Sequence, residues 1–346
     1  MSDTNFNTFK DFVEAHRASI YNKICEYVPI KDPIEHYKIM RDYIDRQGKY
    51  RRPGLVLLTA YLYGATLKDA ILPAAAEQLS EDWILMQDDI EDDADLRRGK
   101  PAAQKIYGWV HAMNASNTGQ MAMWKMLNDY VKERGPERGG AVYDKFYDML
   151  SYTVEGQYIE NEFIHHVKDL SKVDESFYLR IADSKTCYYT VYGPMQIGAL
   201  TGNGSETDLK ILKQMGYNAG IAFQITDDIL DMVADEKEFG KKNFGDIYEG
   251  KVTLIILHAY KNATKEEKAK IDAIYKKKRD DKTSDEINYI RSLIEKYDGI
   301  GYAESVRDKY GAKAKEAVEQ YIGIMPENNY TKIVKSAVEE MFIRKK

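Results

Sequence analysis

Apolar residues recur along most of this chain every three or four positions, the spacing that places side chains on one face of an α-helix. The clearest runs are Leu55, Leu58 and Leu62; Ile211, Met215, Ala219 and Ala222; and Val252, Ile255, Ile256 and Ala259. The alternation of apolar and polar residues between tight turns, which is typical of paired strands, is hard to find. The pattern therefore predicts an all-α protein.

Glycine and proline mark where these helices are expected to end. Breaks are predicted at Gly64, Gly135-Pro136, Gly139-Gly140, Thr201 to Ser205 and Phe239 to Gly250. At the fourth break, Ser205 to Asp208 resembles a helix-opening capping box with Asp in place of Glu. No break is long or biased enough for an interdomain linker, so we expect one domain over residues 1–346, a single helical bundle.

Composition excludes several classes of protein. The chain has 346 residues, a net charge of −6 and 44% hydrophobic residues, which allows a sizeable core but gives no sign of nucleic-acid binding. Two cysteines are too few for a disulfide framework. The first ten residues have no secretory-signal pattern, and no apolar run reaches the roughly 18 residues of a membrane span. We expect a cytoplasmic protein.

Two copies of the pattern Asp-Asp-x-x-Asp carry the candidate chemistry. The first comprises Asp88, Asp89 and Asp92, and the second comprises Asp227, Asp228 and Asp231. On a helix, positions i and i+4 lie only about 40° apart, so the outer two aspartates of each copy share a face. Two such faces turned towards each other would offer the hard oxygen ligands that Mg²⁺ prefers, with water and substrate phosphate filling the remaining positions.

Charged runs are more often solvated helix faces than binding sites. The chain contains a comparison of its own, an acidic cluster from Asp280 to Glu286, to which we assign no chemistry. The Lys-rich stretch from Lys265 to Lys282 is predicted to be a solvated helix and loop. The first motif is continued by two further acids and could be surface. The second lies in the apolar segment 220–233, where buried acids need a partner or a metal, so a functional interpretation is favoured there.

Basic residues near both motifs indicate an anionic ligand such as diphosphate. These residues are Lys49, Arg51 and Arg52 at a helix start, Arg97 and Arg98 after the first motif, Lys185 beside Thr186, and Lys241 and Lys251 beyond the second motif. A helix start also provides free N–H groups and a favourable dipole. Each cluster alone is ordinary surface charge, and their order along the chain is what carries information.

That order resembles the trans-isoprenyl diphosphate synthases, which make geranyl, farnesyl and geranylgeranyl diphosphate. The resemblance runs from Gly48 to about Thr253 and rests on six motifs in sequence. They are Gly-Lys-x-x-Arg-Pro (Gly48 to Pro53), Asp-Asp-x-x-Asp with Arg-Arg-Gly (Asp88 to Gly99), Gly156-Gln157, Lys185-Thr186, Phe-Gln-x-x-Asp-Asp-x-x-Asp (Phe223 to Asp231) and Gly-Asp-Ile-x-Glu-Gly-Lys (Gly245 to Lys251). It implies an all-α bundle around a deep central cavity, of the isoprenoid synthase type, and a homodimer.

The resemblance also implies the activity, a 1′-4 head-to-tail condensation of isopentenyl diphosphate with an allylic diphosphate (dimethylallyl, geranyl or farnesyl). The product would be farnesyl or geranylgeranyl diphosphate. Three Mg²⁺ ions per site, held by the two aspartate motifs, would grip the allylic diphosphate. The implied role of Arg97, Lys185 and Lys241 is to clamp that diphosphate, and that of Thr186 and Gln224 is to stabilise the allylic cation. The second substrate would be bound by Lys49, Arg52 and Arg98, and Glu81 and Lys251 are further candidate substrate-binding residues.

The chain departs from the family pattern at the second substrate. Glu81 stands seven residues before Asp88, where the family usually has His or Gln, and Tyr50 replaces a usual Arg. An acid at position 81 would repel a diphosphate unless it is protonated or paired, for which Arg51 or Lys49 is the expected partner. We therefore expect altered affinity for isopentenyl diphosphate.

Product length in this family is set below the first aspartate motif. Trp83, five residues before Asp88, resembles the bulky gate of short-chain enzymes, whereas an ideal helical wheel places Ile84 closer to the Asp88 face. Core packing is the alternative role of Trp83.

Two alternatives to the synthase also stay open: a class I terpene cyclase, and a non-catalytic subunit that binds prenyl diphosphate in a heteromeric synthase.

Overall fold

The computed structural model describes residues 6–233, 244–324 and 328–342, and in these ranges the protein is built almost entirely of helices. The α-helices are α1 Phe9–Tyr27, α2 Ile34–Arg46, α3 Arg51–Leu62, α4 Leu67–Glu91, α5 Ala103–Tyr107, α6 Trp109–Glu162, α7 Glu175–Ile181, α8 Gly193–Thr201, α9 Glu206–Val233, α10 Gly245–Glu249, α11 Leu254–Asn262, α12 Lys265–Tyr275, α13 Ser284–Lys296, α14 Gly299–Ile322 and α15 Thr331–Phe342. Two-residue strands β1 Leu96–Arg97 and β2 Lys100–Pro101 pair antiparallel after the first aspartate motif. The prediction of an all-α fold is confirmed.

The chain divides into two compact units, and each draws on three separate stretches of sequence. The first unit consists of described residues within 1–148, 190–213 and 320–337. The second consists of described residues within 149–189, 214–319 and 338–346. The single domain over residues 1–346 stays a prediction.

In the first unit, α3 is the most deeply buried of the helices that support candidate residues. It packs against α8, where Gly198 allows close approach, because a Cβ at that position would lie 2.4 Å from the carbonyl oxygen of Val56. At its other end, Gly54 packs against Val13 and Phe9 of α1. These contacts fix the start of α3 and therefore the position of Arg52.

The Lys185-Thr186 pair, in the second unit, is supported by a π-helical segment, Ala182–Tyr192, which belongs to that unit up to Tyr189. Wide π-turns are rare and occur frequently at functional sites. Gly220 of α9 lies against this segment, since a Cβ there would come within 2.7 Å of the Cα, Cβ and Sγ atoms of Cys187. The close approach brings Thr186 to the part of α9 that contains the second motif.

Several predicted breaks are confirmed. Gly64 has a φ of 84°, and Gly135 has a φ of 81° at a kink within α6. The backbone N–H of Ser205 donates to Asp208 Oδ2 at 2.7 Å, as in the predicted capping box. The break predicted at Gly139-Gly140 is wrong, because helix continues through both residues.

Candidate functional site

The first aspartate motif lies at the end of α4, and its three acids have different surroundings. Asp88 and Asp92 are half-buried, whereas Asp89 is fully buried. The carboxylate of Asp89 accepts from Arg97 Nε at 2.9 and 3.0 Å and from the Tyr43 hydroxyl at 2.5 Å. Burial raises the pKa of Tyr43, and the Asp89 carboxylate raises it further. Tyr43 therefore stays protonated and acts as a donor.

Arg97 connects the buried acid to the neighbouring one. Its Nη2 atom contacts Asp89 and lies 3.5 Å from Asp88 Oδ2. The guanidinium is thus oriented from behind by a buried carboxylate, while Asp88 and Asp92 supply the paired oxygens expected of a Mg²⁺ ligand face. Asp89, which the sequence placed among the metal ligands, has its oxygens engaged by protein donors.

A second cluster of the first unit surrounds Arg98. Its Nη1 atom donates to the carbonyl of Tyr43 at 2.7 Å and to Asp82 Oδ1 at 2.9 Å. Gly48 lies close beside it, since a Cβ there would lie 2.8 Å from Arg98 Nη2 and the guanidinium would have to shift. Burial raises the pKa of Asp82 to about 7, although Arg98 opposes the shift.

Glu81 is paired in this cluster by arginines other than the one proposed from sequence. Its Oε1 lies 3.2 Å from Arg52 Nη1 and 3.6 Å from Arg98 Nη2. The expectation of Arg51 or Lys49 as the partner is therefore corrected to Arg52 and Arg98. Arg52 is held at its Nη2 by the Thr190 hydroxyl at 2.9 Å, and Lys49 is exposed in the loop before α3.

Tyr50 and Glu77 complete the surroundings of this cluster. Tyr50 is buried in an αL conformation at the start of α3, and Arg17 packs over its ring. Glu77, one turn before Glu81, is fully buried, and neither of its oxygens has a hydrogen-bond partner. Burial raises the pKa of Glu77 to about 8. Sequence reasoning missed Glu77, although an acid directly after three alanines in an apolar helix is a signal of a buried carboxyl.

The second aspartate motif repeats the arrangement of the first. Asp228 is buried and accepts from the Tyr178 hydroxyl at 2.7 Å and from Gln224 Nε2 at 2.8 Å. Burial raises the pKa of Asp228 to about 7. The outer acids Asp227 and Asp231 are half-buried. In both motifs, the middle aspartate is therefore held by a tyrosine hydroxyl that the sequence gave no means of choosing.

A chain of hydrogen bonds orients Gln224. The hydroxyl of Thr186 donates to Gln224 Oε1 at 2.6 Å, while the amide nitrogen donates to Asp228. The side-chain dipole is thus fixed at both ends. Beside it, Lys185 Nζ donates to Glu160 Oε2 at 2.5 Å, and this hydrogen bond keeps the ammonium group in place.

The region after the second motif is anchored through Asp231. Its Oδ2 accepts the backbone N–H of Asp246 at 3.1 Å, at the start of α10. Lys251, after α10, pairs with Glu249 at 2.5 Å. Lys241 lies outside the described residues.

Lys282 corrects the expectation that the Lys-rich stretch to residue 282 is solvated. It is buried, and its ammonium donates to the carbonyls of Ile247 and Tyr248 at 2.8 and 2.7 Å. Burial lowers its pKa to about 8. The lysine thereby binds carbonyl groups near the end of α10, next to Lys251.

The paired carboxylates fit Mg²⁺ in one specific respect. Mg²⁺ is bound through one or two carboxylates together with water and substrate phosphate, so a face of two half-buried aspartates is a suitable partial ligand set. Within the described ranges, no group of three or more His, Cys, Asp or Glu side chains is arranged to hold a metal by itself.

No helix in those ranges is long and apolar enough to cross a membrane.

Comparison with known proteins gives a consistent result over most of the chain. The family profile for polyprenyl synthetase matches residues 34–294. Geranylgeranyl diphosphate synthase of Methanosarcina mazei is 33% identical over 258 residues, which cover 75% of this chain and 78% of the relative. Geranylfarnesyl diphosphate synthase of Aeropyrum pernix is 33% identical over 279 residues, covering 79% and 83%.

A solved structure extends the similarity to the fold. The crystal structure of geranylgeranyl pyrophosphate synthetase from Pyrococcus horikoshii Ot3 has a TM-score of 0.83 and 30% sequence identity. The match covers 97% of this chain and 98% of that one.

Proposed function

The chain belongs to the polyprenyl synthetase family, and from that membership we propose that this short-chain prenyltransferase joins isopentenyl diphosphate to an allylic diphosphate to make farnesyl or geranylgeranyl diphosphate. The observation that carries the proposal is the repeated arrangement of the two aspartate motifs. In each, two half-buried carboxylates share a helix face, and the third is held by a tyrosine hydroxyl. Because two carboxylates on one helix face suit a hard cation, this arrangement supports binding of a metal–diphosphate complex.

Asp88 and Asp92, and likewise Asp227 and Asp231, would hold Mg²⁺, three ions in all. Bound there, the metal would neutralise charge on the leaving diphosphate. Arg97 is oriented by Asp89 to bind diphosphate oxygens, and Lys185, kept in place by Glu160, would add a point charge. By resemblance, Lys241 would be a further clamp.

The chain's own dipoles would stabilise the reacting carbon. In the condensation, the allylic C–O bond breaks, a new C–C bond forms with the double bond of isopentenyl diphosphate, and one proton leaves. The hydroxyl of Thr186 and the amide of Gln224 are fixed in one hydrogen-bond chain, so their dipoles need no reorganisation as positive charge develops. Lys49, Arg52 and Arg98 would bind the second diphosphate, and Lys251 would be a further substrate-binding residue. The departing diphosphate would take the proton.

We further propose a homodimer located in the cytoplasm.

The purified protein with Mg²⁺, dimethylallyl diphosphate and labelled isopentenyl diphosphate tests this function. Longer prenyl diphosphates support the synthase, hydrocarbons indicate a terpene cyclase, and no turnover indicates a non-catalytic subunit. Either of the last two results overturns the proposal.

Replacing Trp83 is expected to lengthen the product. Trp83 is buried in α4 near Gly119, where a Cβ would lie 3.0 Å from that of Trp83, while Ile84 is half-buried. Since removal of a bulky residue below the first motif would deepen the space for the growing chain, Trp83→Ala should add at least one five-carbon unit. Product length is measured by chromatography of the dephosphorylated prenols.

Trp83→Leu and Ile84→Ala complete this test. Because Trp→Ala in a core can cost about 3–5 kcal/mol, Trp83→Leu provides a milder change that keeps the fold. Unchanged products from both Trp83 variants would assign Trp83 to core packing, and longer products from Ile84→Ala alone would move the gate to that residue.

A further inference from the structure

The carboxylate of Glu81 pairs with both arginines that the proposed function assigns to binding isopentenyl diphosphate. Glu81 Oε1 lies 3.2 Å from Arg52 Nη1 and 3.6 Å from Arg98 Nη2. The side chains of Arg52, Glu81 and Arg98 are 22%, 12% and 13% exposed, so each is partly open to solvent. An internal anion thus lies beside the two arginines that are proposed to bind a substrate anion.

One terminal nitrogen of Arg98 is well hydrogen-bonded, whereas the other has no hydrogen-bond acceptor. Its Nη1 donates to the Tyr43 carbonyl and to Asp82, both with short distances. Its Nη2 is buried and has no hydrogen-bond partner, since 3.6 Å to Glu81 is too long for one. A buried donor without a partner is costly, so an oxygen placed closer to Nη2 would be favoured.

Of the three acids Glu77, Glu81 and Asp82 on α4, Glu81 is the one with a carboxylate that can exchange with a ligand. Asp82 is 1% exposed and bound to the inner side of Arg98, while Glu77 is fully buried. Arg52 is fixed on its other side by the Thr190 hydroxyl. Both arginines are therefore anchored on one side by protein groups, and the partly exposed carboxylate of Glu81 lies against Arg52 Nη1 and Arg98 Nη2.

We propose that Glu81 is an internal competitor for the homoallylic diphosphate, which binds to Arg52 and Arg98 by displacing the Glu81 carboxylate. This inference rests on the proposed function for the identity of the substrate. Two consequences follow from electrostatics. Affinity for isopentenyl diphosphate is lowered, because the displaced carboxylate remains close to the bound anion. The site also selects diphosphate over monophosphate, because only a ligand with several charged oxygens can replace a tethered carboxylate on two arginines.

Removing the charge while keeping the shape tests the proposal. In Glu81→Gln, the KM for isopentenyl diphosphate is expected to fall about tenfold, equivalent to about 1.4 kcal/mol, because a like charge no longer opposes the ligand. The KM for the allylic substrate should stay within about twofold, because that diphosphate is assigned to other residues. Glu81→Asp retains the charge and should keep a KM near that of the wild type. Exposed Glu137→Gln on α6 is the matched control for loss of one negative charge.

A binding experiment separates this inference from the proposed function. Calorimetric titration of inorganic pyrophosphate and of inorganic phosphate in EDTA measures occupation of the basic groups without metal or turnover. We expect Glu81→Gln to bind pyrophosphate about tenfold more tightly than wild type and to gain affinity for phosphate. Equal or weaker binding by Glu81→Gln, or equal effects of Gln and Asp, would overturn the proposal even in an active synthase. Tighter binding by Glu81→Gln in a protein without condensation activity would support the competitor while rejecting the proposed function.

Discussion

Replacing Asp88 or Asp227 with asparagine is expected to lower kcat for condensation by about a thousandfold, with little change in thermal stability. Removal of one group that stabilises transition-state charge costs on the order of a hundred- to a thousandfold in other enzymes, and a lost metal ligand acts on the same charge. Both aspartates are half-buried on the ligand face of their motif, so neither substitution opens a core cavity. Steady-state kinetics at saturating Mg²⁺, with melting curves for each variant, make the measurement.

The chain offers controls for this prediction. Asp280→Asn removes an acid from the exposed cluster to which no chemistry is assigned and should leave kcat unchanged. Asp89→Asn should instead destabilise the fold, because it breaks the buried ion pair and leaves Arg97 with the longer contact to Asp88, at a cost of roughly 3–5 kcal/mol. Full activity in Asp88→Asn or Asp227→Asn would refute the assignment of these residues to the metal.

Glu77→Gln is expected to stabilise the protein, and to do so more as the pH rises. The folded-state pKa of Glu77 is about 8 against an ordinary 4.5, because burial disfavours the charged form. The folded protein therefore binds more protons than the unfolded chain between these values. Consequently this carboxyl lowers the free energy of unfolding progressively from about pH 4.5 to about pH 8. Glutamine has nearly the same shape and no charge, so it avoids that loss.

The expected magnitude is large enough to measure. Since one pKa unit corresponds to about 1.4 kcal/mol, the stability difference between Glu77→Gln and wild type should grow by about 3 kcal/mol between pH 5 and pH 8. Urea unfolding at the two pH values, with exposed Glu137→Gln as control, gives the difference. A difference that is independent of pH would show that Glu77 ionises normally in the fold.

The amino-acid sequence was sufficient to predict those features of the fold and site that depend on residues close together in the chain. Helical periodicity predicted the all-α fold, and the i, i+4 spacing identified the outer acids of each motif, because both depend on residues within two turns. The capping box at Ser205 and the kink at Gly135 also depend only on short-range chemistry. These features could therefore be derived before any tertiary contact was known.

Long-range pairing could not be derived in the same way. Which acid of each motif is held inside the protein is decided by Tyr43 and Tyr178, which lie 46 and 50 residues away in sequence. Glu81 pairs with Arg52 and Arg98, and the packing of α3 fixes the direction of the first turn of that helix, which contains Arg52. The sequence alone gave no reason to choose these arginines over Arg51 or Lys49. Lys282 was interpreted as solvated because nothing near it in sequence shows the Ile247 carbonyl that it binds.

We propose that the protein adds isopentenyl units to an allylic diphosphate and keeps a diphosphate on the product. Mass spectrometry of intact products, combined with an assay of released pyrophosphate, tests this reaction most directly. We expect one pyrophosphate released per five-carbon unit added and a fifteen- or twenty-carbon product that still carries its diphosphate. Hydrocarbon products, or pyrophosphate release without chain extension, would contradict it.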